Sequence, residues 1–163
     1  MEVKYWHRPT ETITFLTKDN VEKNKIQIFT DGSKSEQGVG AGIVIFKSGN
    51  LTNSLKYRLN KRCTNNQAEQ LAILTALKFT ENIETENKTA TIHTDSRTTL
   101  DSLKNNNIHI HRIEEIRRKV AEMGEIKWKI QFWWVKDHAG IQGNEIADTL
   151  AKEAATNVDI IEC

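Results

Sequence analysis

Four acidic residues stand where one predicted element gives way to the next. Asp31 lies in Thr30-Asp31-Gly32-Ser33, and Glu69 closes Thr64-Asn65-Asn66-Gln67-Ala68-Glu69. Asp95 lies in Thr94-Asp95-Ser96, and Asp148 ends the stretch 135–148. His138 precedes Asp148 in a loop that carries Gly140 and Gly143. Four carboxylates brought to one point without a basic partner repel one another strongly. They then keep protons at raised pKa or bind cations. Oxygen-only donors favour hard ions, Mg2+ or Mn2+. Two such ions about 3.5–4 Å apart suit in-line displacement at phosphorus. An imidazole in a glycine-flanked loop adds a movable group that titrates near neutral pH.

That chemistry requires elements that bring the acids together. Residues 26–30 alternate apolar and polar side chains and end at Asp31-Gly32, a strand meeting a turn. Residues 41–47 are β-branched and 51–59 alternate, so short turns join a three-stranded antiparallel meander. The period then changes. Ala68, Leu71, Ala72, Thr75 and Phe79 follow helical spacing, and Thr64 with Gln67 fits a capping box. Residues 90–94 predict a fourth strand that ends at Asp95, and Ser96 can cap a helix running to about Leu103. A helix over 110–123 carries Ile113, Ile116 and Val120 and stops at Gly124. Residues 126–135 alternate as a fifth strand with Trp128, Ile130 and Phe132 on one face. A last helix starts near Gly143 or Asn144, with Ile146, Ala147, Leu150, Ala151 and Ala154 as its apolar stripe.

The fold class that follows is α/β. It has a five-stranded mixed sheet, three antiparallel strands then two parallel ones reached by helical crossovers, with helices on its faces. In such sheets ligands gather beyond the strand carboxyl ends, near helix N-termini. If the first and fourth strands are neighbours, Asp31 and Asp95 end side by side, within reach of Glu69 and Asp148 from covering helices.

The rest of the chain bounds the reading. Its 163 residues suit one domain with a core. Residues 1–24 are expected to be an arm or linker with a short strand over 13–16, residues 25–156 the domain, and 157–163 a tail. A net charge of +1 points to neither nucleic acid nor membrane, so any basic surface is local. No apolar run approaches a membrane span and no secretion signal is evident, so an intracellular, cytoplasmic or nuclear setting is expected. Cys63 and Cys163 form neither a disulfide framework nor a zinc pattern, which fits a reducing compartment and makes Cys63 a passive small residue. Arg117-Arg118-Lys119 reads as a solvated helix face, whereas Lys56, Arg58, Lys61 and Arg62 lead toward Asn65 and Asn66 and make the better basic cluster.

Taken singly, the acidic motifs are weak, since Asp-Gly is a common turn and Asp-Ser a common cap. Together and in this order, they make the chain resemble a type 1 ribonuclease H domain over about 25–155, with the close of the last motif most similar to retroelement reverse-transcriptase domains. The resemblance implies a ribonuclease H-like fold and an endonuclease that cuts the RNA strand of RNA–DNA hybrids with two Mg2+ ions, Mn2+ substituting. It implies that Asp31, Glu69, Asp95 and Asp148 hold the metals and that His138 assists proton transfer or product release. It gives Asn65 and Asn66 the RNA strand and its 2′-hydroxyls, Arg62 and Thr64 a phosphate of the DNA strand, Ser33 a place in substrate binding, and Asn144 the ordering of the last helix. Short polar groups beside the ribose are what RNA discrimination requires. The implied partners are the hybrid and a reverse-transcriptase polymerase domain in the same polyprotein, with no membrane.

The pattern departs from that family in two places. The segment Ser33-Lys34-Ser35-Glu36-Gln37-Gly38 lacks the usual proline and long glycine run, and 105–124 has little room for a basic protrusion. One rival reading is a catalytically weak nucleic-acid-binding or connection module. Another is a transposase or integrase with a three-acid site, which would lack the Asn65-Asn66 to Glu69 arrangement.

Overall fold

The structure is a computed structural model in which residues 14–15, 26–135, 142–157 and 160–161 are described. A two-residue strand, β1 (Thr14–Phe15), stands within the expected 13–16. Strand β2 (Ile26–Ser35) does not stop at Asp31-Gly32 as predicted. It continues in register against β3 (Gly38–Lys47), with Asp31 opposite Gly42, and turns only at Glu36-Gln37. Pairing with β3 on one side overrides the turn tendency of the dipeptide, so Asp31 sits on rigid strand rather than in a loop. β4 (Asn50–Leu59) follows after a turn in which Ser48 and Gly49 both take positive φ.

Helix α1 (Asn65–Thr80) begins with the predicted capping box. The Gln67 N–H donates to Thr64 Oγ1 at 3.1 Å, and the Thr64 N–H donates to Gln67 Oε1 at 2.8 Å. A Thr64→Ala substitution is therefore expected to cost about 1 kcal/mol by chemical denaturation. An unchanged midpoint would mean that the box does not hold the helix start.

β5 (Thr89–Thr94), α2 (Arg97–Lys104), α3 (His111–Glu125), β6 (Lys129–Trp134), α4 (Gln142–Asn157) and β7 (Ile160–Ile161) complete the order. Gly124 does not stop α3; the chain leaves the helix through Lys127, whose φ is +77°. The sheet order is β1-β6-β5-β2-β3-β4-β7. Its body is the expected five strands. β2, β3 and β4 are antiparallel, and β5 and β6 join parallel on the β2 side. The short β1 and β7 extend the two edges in parallel with β6 and β4.

Alternation along the strands sends side chains to two cores. One face carries Ile26, Ile28, Ile43 and Ile45 beneath α1, α2 and α3. The other carries Phe29 and Val44 beneath Ala147 of α4. Arg117 is not on a solvated face. It is 2% exposed, and its guanidinium donates to Glu114 Oε1 (2.6 Å) and to the carbonyls of Ile108, Ser102 and Asn105 (2.7, 2.8 and 2.7 Å). It thereby closes the C-terminal end of α2, whose carbonyls lack intrahelical partners. Cys63 is buried and disulfide-bonded, which corrects the expectation of a passive thiol. Its partner lies outside the described residues. Among the described residues no helix is long and apolar enough to cross a membrane.

Candidate active site

Parallel pairing of β2 and β5 ends with Thr30 opposite Thr94, so the next residues, Asp31 still on β2 and Asp95 just past β5, stand side by side. Asp31 is 4% exposed, and its Oδ1 accepts the Gly32 N–H at 2.9 Å. Gly32 lets α1 come close, because a Cβ there would stand 2.9 Å from both Ala68 Cβ and the Glu69 nitrogen. Glu69, also 4% exposed, thereby reaches Asp31. Ligand oxygens of Asp31, Glu69 and Asp95 lie within 4.8 Å of one another.

The segment after Asp95 is fixed from two sides. Ser96 Oγ accepts the Thr99 N–H (3.3 Å) and caps α2, as predicted. The Trp134 indole N–H donates to the Asp95 carbonyl (3.2 Å). The Arg97 guanidinium rests 5.0 Å from the centre of the Trp134 ring. Trp134 is thereby 38% exposed at the end of β6, beside Arg97 of the cleft wall.

A cleft of about 480 Å³ opens over the acids. Asp31, Glu69 and Asp95 line it, with Asp148 and Lys152 from α4 on one side and Asn65 and Asn66 from the start of α1 on another. The Lys152 ammonium is 2.9 Å from Asp148 Oδ2. Ser33, Arg62, Thr64 and Asn144 are not among the described residues that line the cleft. Thr64 is the cap of α1, and Arg62 is exposed with its N–H on Asn60 Oδ1 (2.9 Å). Asn144 is 4% exposed in the first turn of α4. His138 lies outside the described residues.

Burial, and after it the crowding of the carboxyls, sets their titration. Burial, then the charges of Asp95 and Asp148, pushes Asp31 up to about 7. Burial, then the charge of Asp31 and of Asp95, holds Glu69 well above the usual carboxylate range. Near neutral pH the cluster keeps protons unless a cation replaces them. Glu69 Oε2 is buried without a hydrogen-bond partner among the described residues. Three convergent oxygen donors and one orphaned carboxylate oxygen fit a hard divalent cation.

Reading the chain for acids overlooked two cations, Arg97 and Lys152. Lys152 had a signal, since it stands four residues after Asp148 on one helix. Arg97 had only its place two residues after Asp95.

Comparison with known proteins agrees with this geometry. Residues 23–156 match the model of the RNase H family. A ribonuclease H of Vibrio campbellii is 34% identical over 149 residues, covering 81% of this chain and 90% of that one. One of Mesorhizobium japonicum is 33% identical over 144 residues, covering 79% and 77%. Among solved structures, LC11-RNase H1 isolated from compost superposes with a TM-score of 0.64 at 24% identity, covering 81% and 96%. RNase H1 of Halobacterium salinarum gives 0.62 at 22%, covering 79% and 96%. These two structures support the fold, while the family model and the sequence relatives support membership. The chain belongs to the RNase H family of ribonucleases.

Proposed function

We propose that this ribonuclease hydrolyses the RNA strand of RNA–DNA hybrids by a two-metal-ion mechanism. The observation that carries the reading is the convergence of Asp31, Glu69 and Asp95 within 4.8 Å, in a cleft whose rim holds Asn65 and Asn66. Asp31 and Asp95 would face both ions, Glu69 would complete one site and Asp148 the other. Bound there, Mg2+ or Mn2+ would activate the attacking water and stabilise the leaving 3′-oxygen.

The protein residues supply the rest. Asn65 and Asn66 open α1, where side-chain amides and free backbone N–H groups can meet 2′-hydroxyls and phosphate. Arg62 and Thr64 stand next to them for the DNA strand. Ser33 follows Asp31 along β2 toward the same substrate, and Asn144 holds the first turn of α4 so that Asp148 keeps its aim. His138 is assigned proton transfer or product release. In this reading residues 25–156 are the catalytic unit, 1–24 an arm and 157–163 a tail. A polymerase domain of a reverse transcriptase is proposed as a partner on the likeness of the last motif to retroelement domains; the relatives named above are bacterial ribonucleases H. The presence of all four acids weighs against the binding-module reading.

End-labelled RNA–DNA hybrid, duplex RNA and duplex DNA are incubated with the chain with and without Mg2+. Cutting confined to the RNA of the hybrid, and dependent on the ion, is expected. Equal cutting of duplex RNA, or cutting that survives chelation, would overturn the proposal.

A further inference from the structure

The acidic cluster is not symmetric. Asp31, Glu69 and Asp95 form a close trio, and Asp148 stands apart from the group whose ligand atoms lie within 4.8 Å. Asp148 is still near enough to act on the Asp31 carboxyl through a hydrogen bond and through its charge. The ammonium of Lys152, one helical turn further along α4, lies 2.9 Å from Asp148 Oδ2. Lys152 also lines the cleft that the acids share. One end of the site thus gathers three carboxyls, and the other pairs a carboxylate with a cation supplied by the chain.

We propose that Lys152 is a positioning residue whose ammonium occupies the Asp148 half of the metal site and must be displaced before a second divalent ion can bind there. Two consequences follow from charge and exposure. In the metal-free protein the ammonium orients Asp148 and offsets its negative charge. When ions are added, the trio fills first, because its three ligand oxygens already converge within 4.8 Å. The second ion meets both a carboxylate already paired and a like charge beside it, so it binds more weakly. Its entry remains feasible because the Lys152 side chain is 63% exposed and can swing into water or onto a substrate phosphate. An exposed pair of this kind is a weak barrier. It therefore grades the occupancy of the two halves rather than closing one of them.

The inference rests on the metal-dependent reading above, so the test reads ion binding separately from turnover. Wild type, Lys152→Met, Lys152→Arg and Asp148→Asn are titrated with Mn2+ by calorimetry without nucleic acid. All four should bind a first ion with similar affinity. Lys152→Met should bind a second ion on the order of tenfold more tightly than wild type. Lys152→Arg, which keeps the charge, should resemble wild type, and Asp148→Asn should lose the second ion. In the cleavage assay, the Mg2+ concentration for half-maximal rate should fall by a similar factor in Lys152→Met. A second ion that is absent from Lys152→Met, or bound no more tightly than by wild type, overturns the role of Lys152 and leaves the metal reading standing. Failure of wild type and Lys152→Met to bind any ion overturns both.

Discussion

Asp31→Asn is expected to reduce hybrid cleavage at least roughly a hundredfold, while making the metal-free protein more stable than wild type at and above neutral pH. The two effects have one cause. Asp31 is central to the site, paired in space with Asp95 by the β2–β5 register and touched by Glu69 and Asp148. An amide at that position supplies one neutral oxygen in place of a carboxylate, so the ion-binding set loses its shared member.

The same carboxylate strains the fold when it ionises. Its pKa rises from 3.8 unfolded to about 7 folded, so between those values the folded protein binds more protons than the unfolded chain. Wild-type stability contributed by this group is therefore full below about pH 4 and is lost as pH climbs toward 7. The loss is a few kcal/mol in order of magnitude. Glu69, raised by burial and by Asp31 itself, adds to it in the same direction. Buried His93 runs the opposite way, since burial holds its imidazole down at about 4 and protonation of the unfolded chain costs stability as pH falls below 6.5. Comparing Asp31→Asn with wild type cancels the His93 contribution. Thermal unfolding in chelator should show little difference near pH 4 and a gap in favour of the variant that widens up to about pH 7.5, and added Mg2+ should raise wild type far more than the variant. A variant that is less stable than wild type throughout this range, or that still cuts hybrid at near wild-type rate, would remove Asp31 from the centre of the site.

The convergence of Asp31, Glu69 and Asp95 was legible because periodicity placed Asp31 and Asp95 after the apolar runs of two strands that pair in parallel, and Glu69 in the first turns of the helix that covers them. The five strands of the sheet body and the capping of α1 and α2 were legible for a related reason, that periodicity and caps are local. What sequence could not give was tertiary. Asp31-Gly32 looked like a turn, yet pairing with Ala41 and Gly42 kept it extended. Arg117 looked solvated, yet the carbonyls at the end of α2 needed a donor that only the fold brings near. Cys63 looked like a passive small residue because separation along the chain says nothing about which cysteines the fold joins. Of the two short edge strands only β7 was obscured in this way, since it draws its hydrogen bonds from β4, about a hundred residues earlier in the chain.

Replacing Gly42 with valine is expected to be the most damaging change outside the acids, in a residue that contacts no metal or substrate. Gly38, Gly40 and Gly42 occupy alternate positions of β3, and a Cβ at each would fall 2.3, 2.1 and 2.3 Å from the carbonyl oxygens of Ala155, Ala151 and Ala147. Those carbonyls are four residues apart on α4. One strand face without side chains thus meets one backbone ridge of the helix at every turn, close enough for Cα–H···O contacts. The helix carries Asp148 immediately after Ala147, so the seating of α4 on β3 sets how far Asp148 reaches toward Asp31. Valine at position 42 cannot be fitted by a rotamer change, because the clash is with backbone. The helix must lift by an ångström or more, which costs about 3 kcal/mol of stability and on the order of a hundredfold in cleavage even where the protein stays folded. Gly124→Ala is the comparison, since among the described residues no atom beyond its own helix backbone lies within 4 Å of the added Cβ, and alanine favours the helix by about 1 kcal/mol. It should match or exceed wild-type stability and cut normally. If Gly42→Val melts and cleaves like Gly124→Ala, the close seating of α4 is not what places the fourth carboxylate.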